Sequence, residues 1–134
     1  MALETERTNR DYLFGRLLAI AENIESYALS LSSEKRETTA ARFMQRFADR
    51  PCSTWRTIEL SLRPYIARLR SNGREGFVVI RLRLIDEIMS LFEGNSFIDD
   101  TRLTGEFLLG YHCQREALKH GKAVVEEEAV ATAS

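Results

Sequence analysis

Residues 9–31, NRDYLFGRLLAIAENIESYALSL, set Leu13, Leu17, Ala21, Ile24, Ala28 and Leu31 at intervals of three or four. That period lines these side chains along one side of an α-helix and predicts a helix from about Asn9 to Leu31. Ser32 and Ser33 follow as a turn. A second helix over about Glu34–Asp49 carries Ala40, Phe43, Met44 and Phe47 on one side. It ends at Arg50-Pro51, because the residue before a proline avoids the α region. With Ser53 as N-cap, a third helix runs to about Arg70 and buries Trp55, Ile58, Leu62, Tyr65, Ile66 and Leu69. Pro64 inside it predicts a kink or a break, and Ser71-Asn72-Gly73 predicts a turn.

The fourth segment is ambiguous at its start. Phe77–Leu82 is rich in β-branched residues, as a strand would be. Phe77, Leu84, Ile85, Ile88 and Phe92 nevertheless share one side of a helix, and a lone strand would lack a pairing partner elsewhere, so a helix over about Arg74–Phe92 is expected. Gly94-Asn95 stops it. Asp99 and Asp100 then stand where carboxylates favour a helix N-terminus, ahead of a fifth helix to about His120 that buries Leu103, Phe107, Tyr111 and Leu118. The expected fold is all-α, a single-domain bundle of about five helices. It has a charged lead over residues 1–8, the bundle over 9–120, and an acidic tail over 121–134 too poor in apolar residues to order itself.

A chain of 134 residues buries about two-thirds of its extended surface on folding, so neither disulfide nor metal is required. Cys52 and Cys113 stand far apart with no partners at metal-ligand spacing, which suits two free thiols in a reducing compartment. The N-terminus MALETERTNRDY is charged and lacks the apolar core of a signal peptide. No apolar run approaches the roughly 20 residues that span a bilayer. A cytoplasmic protein without membrane contact is expected.

Catalysis finds little footing. His112 and His120 have no acidic cluster spaced to join them, and His112 falls opposite the apolar stripe of its helix, which predicts a solvated or structural role. Glu126–Glu128 is a solvated charge run. Asp99-Asp100 reads better as capping than as a metal pair, and the glycines form no phosphate-cradling loop. The sequence predicts a protein that is not an enzyme and needs no cofactor or metal.

The net charge of −1 conceals a segregation: Lys35–Arg83 holds twelve basic residues against four acidic ones, and the rest of the chain is acidic. Arginine outnumbers lysine sixteen to three, and its planar fork suits phosphates, carboxylates and aromatic faces. The nucleic-acid-binding candidates are Lys35, Arg36, Arg42, Arg46, Arg50, Arg56, Arg63, Arg68, Arg70 and Arg74. Arg42, Arg46 and Arg50, spaced by four, make one row on the second helix. Arg56, Arg63 and Arg70, spaced by seven, make another on the third. Side by side, the rows would form a cationic track meeting several phosphates. The competing reading is that these arginines are solubility residues or local salt-bridge donors. Base-specific reading is not expected, because the basic helices lack the Gln and Asn residues of a recognition helix. Arg81 is set apart, since it projects into the apolar side of its helix and needs a carboxylate or a partner chain.

Tyr12–Ala19 (YLFGRLLA) resembles the YLLGRLFA signature near the start of the C-terminal helical region of the type I-C CRISPR large subunit. Phe107–Gln114 (FLLGYHCQ), followed by Arg115, Ala117 and Leu118, resembles the F-x-LGYYHQ ending of that region, and Arg83–Leu91 (RLIDEIMSL) is similar to its penultimate helix. His112 and Cys113 depart from the tyrosine and histidine usual there, which leaves those positions a packing role. The resemblance covers about Tyr12–Leu118. With a methionine at its start, the chain resembles the small subunit of the type I-C Cascade effector, which is thought to arise by internal translation of the large-subunit gene; a fragment of the large subunit would carry the same resemblance.

The resemblance implies a non-catalytic subunit, present in more than one copy, that touches the Cascade backbone and large subunits. It implies binding to the displaced non-target DNA strand and bracing of the guide RNA–target DNA duplex, with base pairing supplying sequence choice. The alternatives are a purely structural helical adaptor and a stand-alone DNA-binding regulator.

Overall fold

The computed structural model describes residues 2–32 and 36–133, with side chains as far as Lys119. Six helices follow in order: α1 (Arg10–Leu31), α2 (Thr39–Arg42), α3 (Met44–Asp49), α4 (Pro51–Ser71), α5 (Glu75–Ser90) and α6 (Glu106–Ala133). No strand occurs among the described residues, and Phe77–Leu82 lies within α5. The architecture is the all-α bundle expected, with α1 at its centre.

Helix α1 takes that place because it is apolar nearly all round. Every residue from Asp11 to Ala21 is buried, and α4, α5 and α6 pack around it. Asn9 caps it, its side chain accepting from the Tyr12 N–H at 3.1 Å. The α1–α6 contact is the most intimate. A Cβ on Gly15 would overlap the Phe107 carbonyl oxygen and stand 2.7 Å from the Tyr111 nitrogen. A Cβ on Gly110 would stand 3.0 Å from the Tyr12 α-carbon.

The second predicted helix is two short ones. At Phe43 the backbone turns to φ −96°, ψ 7°, separating α2 from α3. The two pieces are held by different parts of the core. Buried Glu25 of α1 accepts the Thr39 N–H at 2.6 Å, pinning the α2 N-terminus, while Phe47 of α3 sets its ring edge-on to Phe14 and tilted against Phe107. Arg50, extended at φ −141° before Pro51, ends α3 as expected.

Ser53 is not the N-cap of the next helix. Pro51 opens α4 at its first turn, where a missing N–H costs nothing, and Asp100 supplies the cap from a distant loop. Its carboxylate accepts from the Cys52 N–H at 2.9 Å, the Ser53 N–H at 3.2 Å and the Ser53 hydroxyl. Asp99 and Asp100 therefore do not cap the fifth predicted helix, and α6 begins only at Glu106. Asp11 holds the approach to α6 instead, accepting from the Thr104 N–H and hydroxyl at 2.7 Å each. Helix α4 continues through Pro64 without a break. Pro64 and Leu60, whose carbonyl loses its partner, are both exposed, so the missing bond falls where water replaces it. The 91–105 connection folds Phe92 and Phe97 onto Phe14, with ring centroids 4.9 and 5.6 Å away. The acidic tail expected over 121–134 falls within α6 as far as Ala133, and the side chains of residues 120–134 lie outside the described ones.

Candidate nucleic-acid interface

The arginine-rich block wraps around α4, and the structure sorts its members by what they touch. Lys35 lies outside the described residues. Arg36 and Arg68 gather at Tyr65, each with its guanidinium 5.7 Å from the ring centre; Arg36 also donates to the Tyr65 hydroxyl and Arg68 to the Ser32 hydroxyl at 3.1 Å. These arginines tie the α1–α2 connection to α4.

Arg42, Arg46 and Arg50 do not form the single helical row expected. The turn at Phe43 puts Arg42 on α2 and Arg46 on α3, and Arg50 lies in the extended joint before α4. Arg42 donates to the Thr39 hydroxyl at 3.2 Å, and Arg46 lies over the Phe43 ring at 5.1 Å. All three are exposed.

The second row keeps its helix. Arg56, Arg63 and Arg70 are exposed along one flank of the unbroken α4. At seven-residue intervals successive members stand about 10 Å apart along the axis, roughly three phosphates of a B-form strand. Arg70 is paired with Glu75 at 3.0 Å. Among the described residues, Arg56 and Arg63 make no hydrogen bond, ion pair or ring contact, so both guanidinium forks face solvent. Glu59, three residues after Arg56 and four before Arg63, is a carboxylate on the same flank.

Arg63 and Arg70 also border a groove of about 630 Å³ between α4 and α5, with Ile66, Ala67 and Leu82 along it. Cationic edges over an aliphatic floor suit a sugar-phosphate chain. No aromatic side chain lines this groove, so base stacking, the usual sequence-tolerant contact to single strands, is absent from it. Arg74 stands at the start of α5, 5.9 Å from the centre of the Tyr27 ring.

Arg81 is buried, as its place in the apolar pattern predicts, but its partner is not a carboxylate. Its Nε donates to Asn23 Oδ1 at 2.8 Å and its guanidinium lies 4.5 Å from the Phe77 ring centre. Burial lowers its pKa from the ordinary arginine value. Sequence patterning missed a second buried arginine. Arg16 of α1 is 2% exposed and donates through Nε to Gln114 Oε1 at 2.8 Å.

Elsewhere, His112 is exposed, while Cys52 and Cys113 are buried free thiols. Among the described residues no group of His, Cys, Asp or Glu side chains is arranged to hold a metal ion, and no helix is long and apolar enough to cross a membrane.

The segments YLFGRLLA and FLLGYHCQ meet face to face at the α1–α6 contact, through Gly15 and Gly110. A family model described as CRISPR-associated protein (Cas_Csd1) matches residues 1–119. No curated protein matches the sequence.

Proposed function

Since the chain belongs to the Cas_Csd1 family of CRISPR-associated proteins, we propose that it is a non-catalytic, small-subunit component of a cytoplasmic type I-C Cascade complex. In that complex it holds the displaced non-target strand of the R-loop and braces the guide RNA–target DNA duplex. The observation that carries this reading is the α4 flank, where Arg56 and Arg63 present unengaged guanidinium forks beside a cation-edged groove. Guanidinium forks on a rigid helix bind phosphate without reading bases, which suits a complex whose guide RNA supplies sequence choice. Neighbours in the assembly are the backbone subunits, the large subunit and further copies of the chain.

A purely structural adaptor role is favoured by different residues. Val79 and Ile80 of α5 are exposed aliphatic side chains of the kind that meet a neighbouring protein. R-loop formation by the assembled complex separates the two readings. Replacing Arg56, Arg63 and Arg70 by Ala is expected to leave assembly intact and weaken R-loop formation. It should also flatten the salt dependence of single-strand binding by about 2 in the slope of log K against log salt, at about 0.7 per phosphate neutralised. Unchanged R-loop yield and slope would leave the adaptor reading.

A further inference from the structure

Arg16 and Arg81 reach the same cleft from different helices. It has a volume of about 270 Å³ and lies where α1, α5 and α6 meet. Arg16 and Arg81 are 2% and 4% exposed. Each is anchored through Nε to a neutral side-chain amide, Gln114 for Arg16 and Asn23 for Arg81. Each also keeps a buried terminal nitrogen, Nη1 of Arg16 and Nη2 of Arg81, with no hydrogen-bond partner. Amides fix the direction of a guanidinium without neutralising its charge. Two buried cations held in this way lack the counter-charge that burial ordinarily demands. Glu87, exposed at the cleft, acts on Arg16 through its charge but bonds to neither arginine, so the lining retains an excess of positive charge.

From this geometry we infer that the cleft is a binding site for a carboxylate carried on a short apolar stem. A carboxylate brings a negative charge and two acceptor oxygens to a pair of guanidiniums that lack a counter-charge. Leu3, Leu84, Ile88, Leu91, Ala117 and Leu118 make most of the remaining wall aliphatic, with Thr5 among them, and this part receives hydrocarbon. A phosphate fits less well, because beyond the Thr5 hydroxyl and the Gln114 amide its further oxygens would face aliphatic side chains and the Glu87 carboxylate. The carboxylate is either an acidic side chain of a neighbouring subunit or a free short-chain carboxylate. The site does not depend on the nucleic-acid reading, since it uses none of the α4 arginines.

The Nε–H resonances of Arg16 and Arg81, assigned with Arg16→Met and Arg81→Met variants, report on the site directly. Titration of the full-length chain with hexanoate is expected to move both resonances saturably and one-to-one. Hexanamide should not move them, nor should inorganic phosphate. In Arg81→Lys, which keeps the charge but not the fork, the Arg16 resonance should need a higher hexanoate concentration to shift. The labelled chain in the assembled complex identifies the source. Loss of hexanoate binding there means that a partner's acidic side chain fills the cleft; retained binding means a free carboxylate. Equal shifts with hexanamide or phosphate would overturn the carboxylate assignment. The site itself is refuted if neither the free nor the assembled chain responds to hexanoate and the Arg resonances in the complex match those of the free chain.

Discussion

Gly15 of α1 lies directly against the main chain of Phe107 on α6, with no room between them for a methyl group. Helix axes come this close only where a side chain is absent, and here each helix contributes a glycine, Gly15 on one and Gly110 on the other. The approach brings Arg16 within 2.8 Å of Gln114 and seals Tyr12 and Tyr111 into the core. The cleft holding the two buried arginines is thus a consequence of the glycine contact.

Replacing Gly15 by Ala should destabilise the bundle although alanine is the better helix former. Its methyl would push main chain, not a flexible side-chain tip, so the contact must open. Overpacking costs about 1–3 kcal/mol, at the upper end for a backbone clash, and the helix-propensity gain offsets about 1 kcal/mol. A net loss of about 2 kcal/mol is expected, seen in urea unfolding. The same change at exposed Gly76, which faces open space, should be neutral or stabilising.

Asp100 should carry an acid-sensitive part of the stability. Burial pushes its carboxyl up, but hydrogen bonds from Ser53 and Cys52, with the charge of Arg50, outweigh burial and hold it below the ordinary aspartate value. A depressed folded value means that the stabilisation is complete above the unfolded pKa of about 3.9 and is lost as pH falls through the folded one. Asp100→Asn is expected to lower stability at neutral pH and to show a smaller further loss below about pH 4 than the parent chain. Parallel curves of unfolding free energy against pH would refute the assignment.

What the sequence made legible followed from period. The stripes of α1, α4 and α5 are local patterns, and each became a helix. The expected side is buried along most of α1 and α4. Of the side expected for α5 only Ile85 and Ile88 are buried, while Phe77, Leu84 and Phe92 are half-buried and Val78 is buried along with Arg81. Caps that cross the chain were not legible. Asp100 reaches back 48 residues to Cys52, and Glu25 reaches 14 forward to Thr39, separations over which residue types carry no register. The stretch before α6 looked like a helix start because Asp99-Asp100 is good capping chemistry wherever it stands.

Arg81 was visible because it interrupts a one-sided stripe. Arg16 was hidden by a reading that followed only one side of α1. Tyr12, Phe14, Leu18 and Ile20 make that helix apolar on its other sides too, and a helix apolar all round buries whatever lies within it. The split of the Arg42–Arg50 row had no local signal, since the turn at Phe43 reconciles anchors on two other helices.

Tyr111 should control stability at the alkaline end. Its phenol donates to Glu22 at 2.7 Å, and burial together with that carboxylate pushes its pKa up to about 12. A raised folded value means that the stabilisation is complete below the unfolded pKa of about 10 and is lost as pH climbs toward about 12. Tyr111→Phe removes a hydrogen bond to a charged group, so a loss of about 1.5–3 kcal/mol is expected at neutral pH. The difference between the two proteins should shrink as pH rises above about 10, because only the parent chain has the phenol to ionise.

Glu59 gives the nucleic-acid reading a test in which affinity rises. It stands between Arg56 and Arg63 on the α4 flank, where a phosphate held by either arginine would feel its charge. At separations of about 8 Å in water, one such repulsion is worth about 0.5 kcal/mol, roughly twofold in affinity per phosphate held. Glu59→Gln is therefore expected to tighten single-strand binding by the complex about two- to fourfold at low salt. The gain should fade as the screening length falls from about 10 Å at 0.1 M salt to about 3 Å at 1 M. A general change in folding or assembly would not fade in this way, because it would alter binding at every ionic strength. An affinity that does not move at low salt would mean that this flank meets no phosphate, and the strand would then have to lie along another face of the chain or outside it.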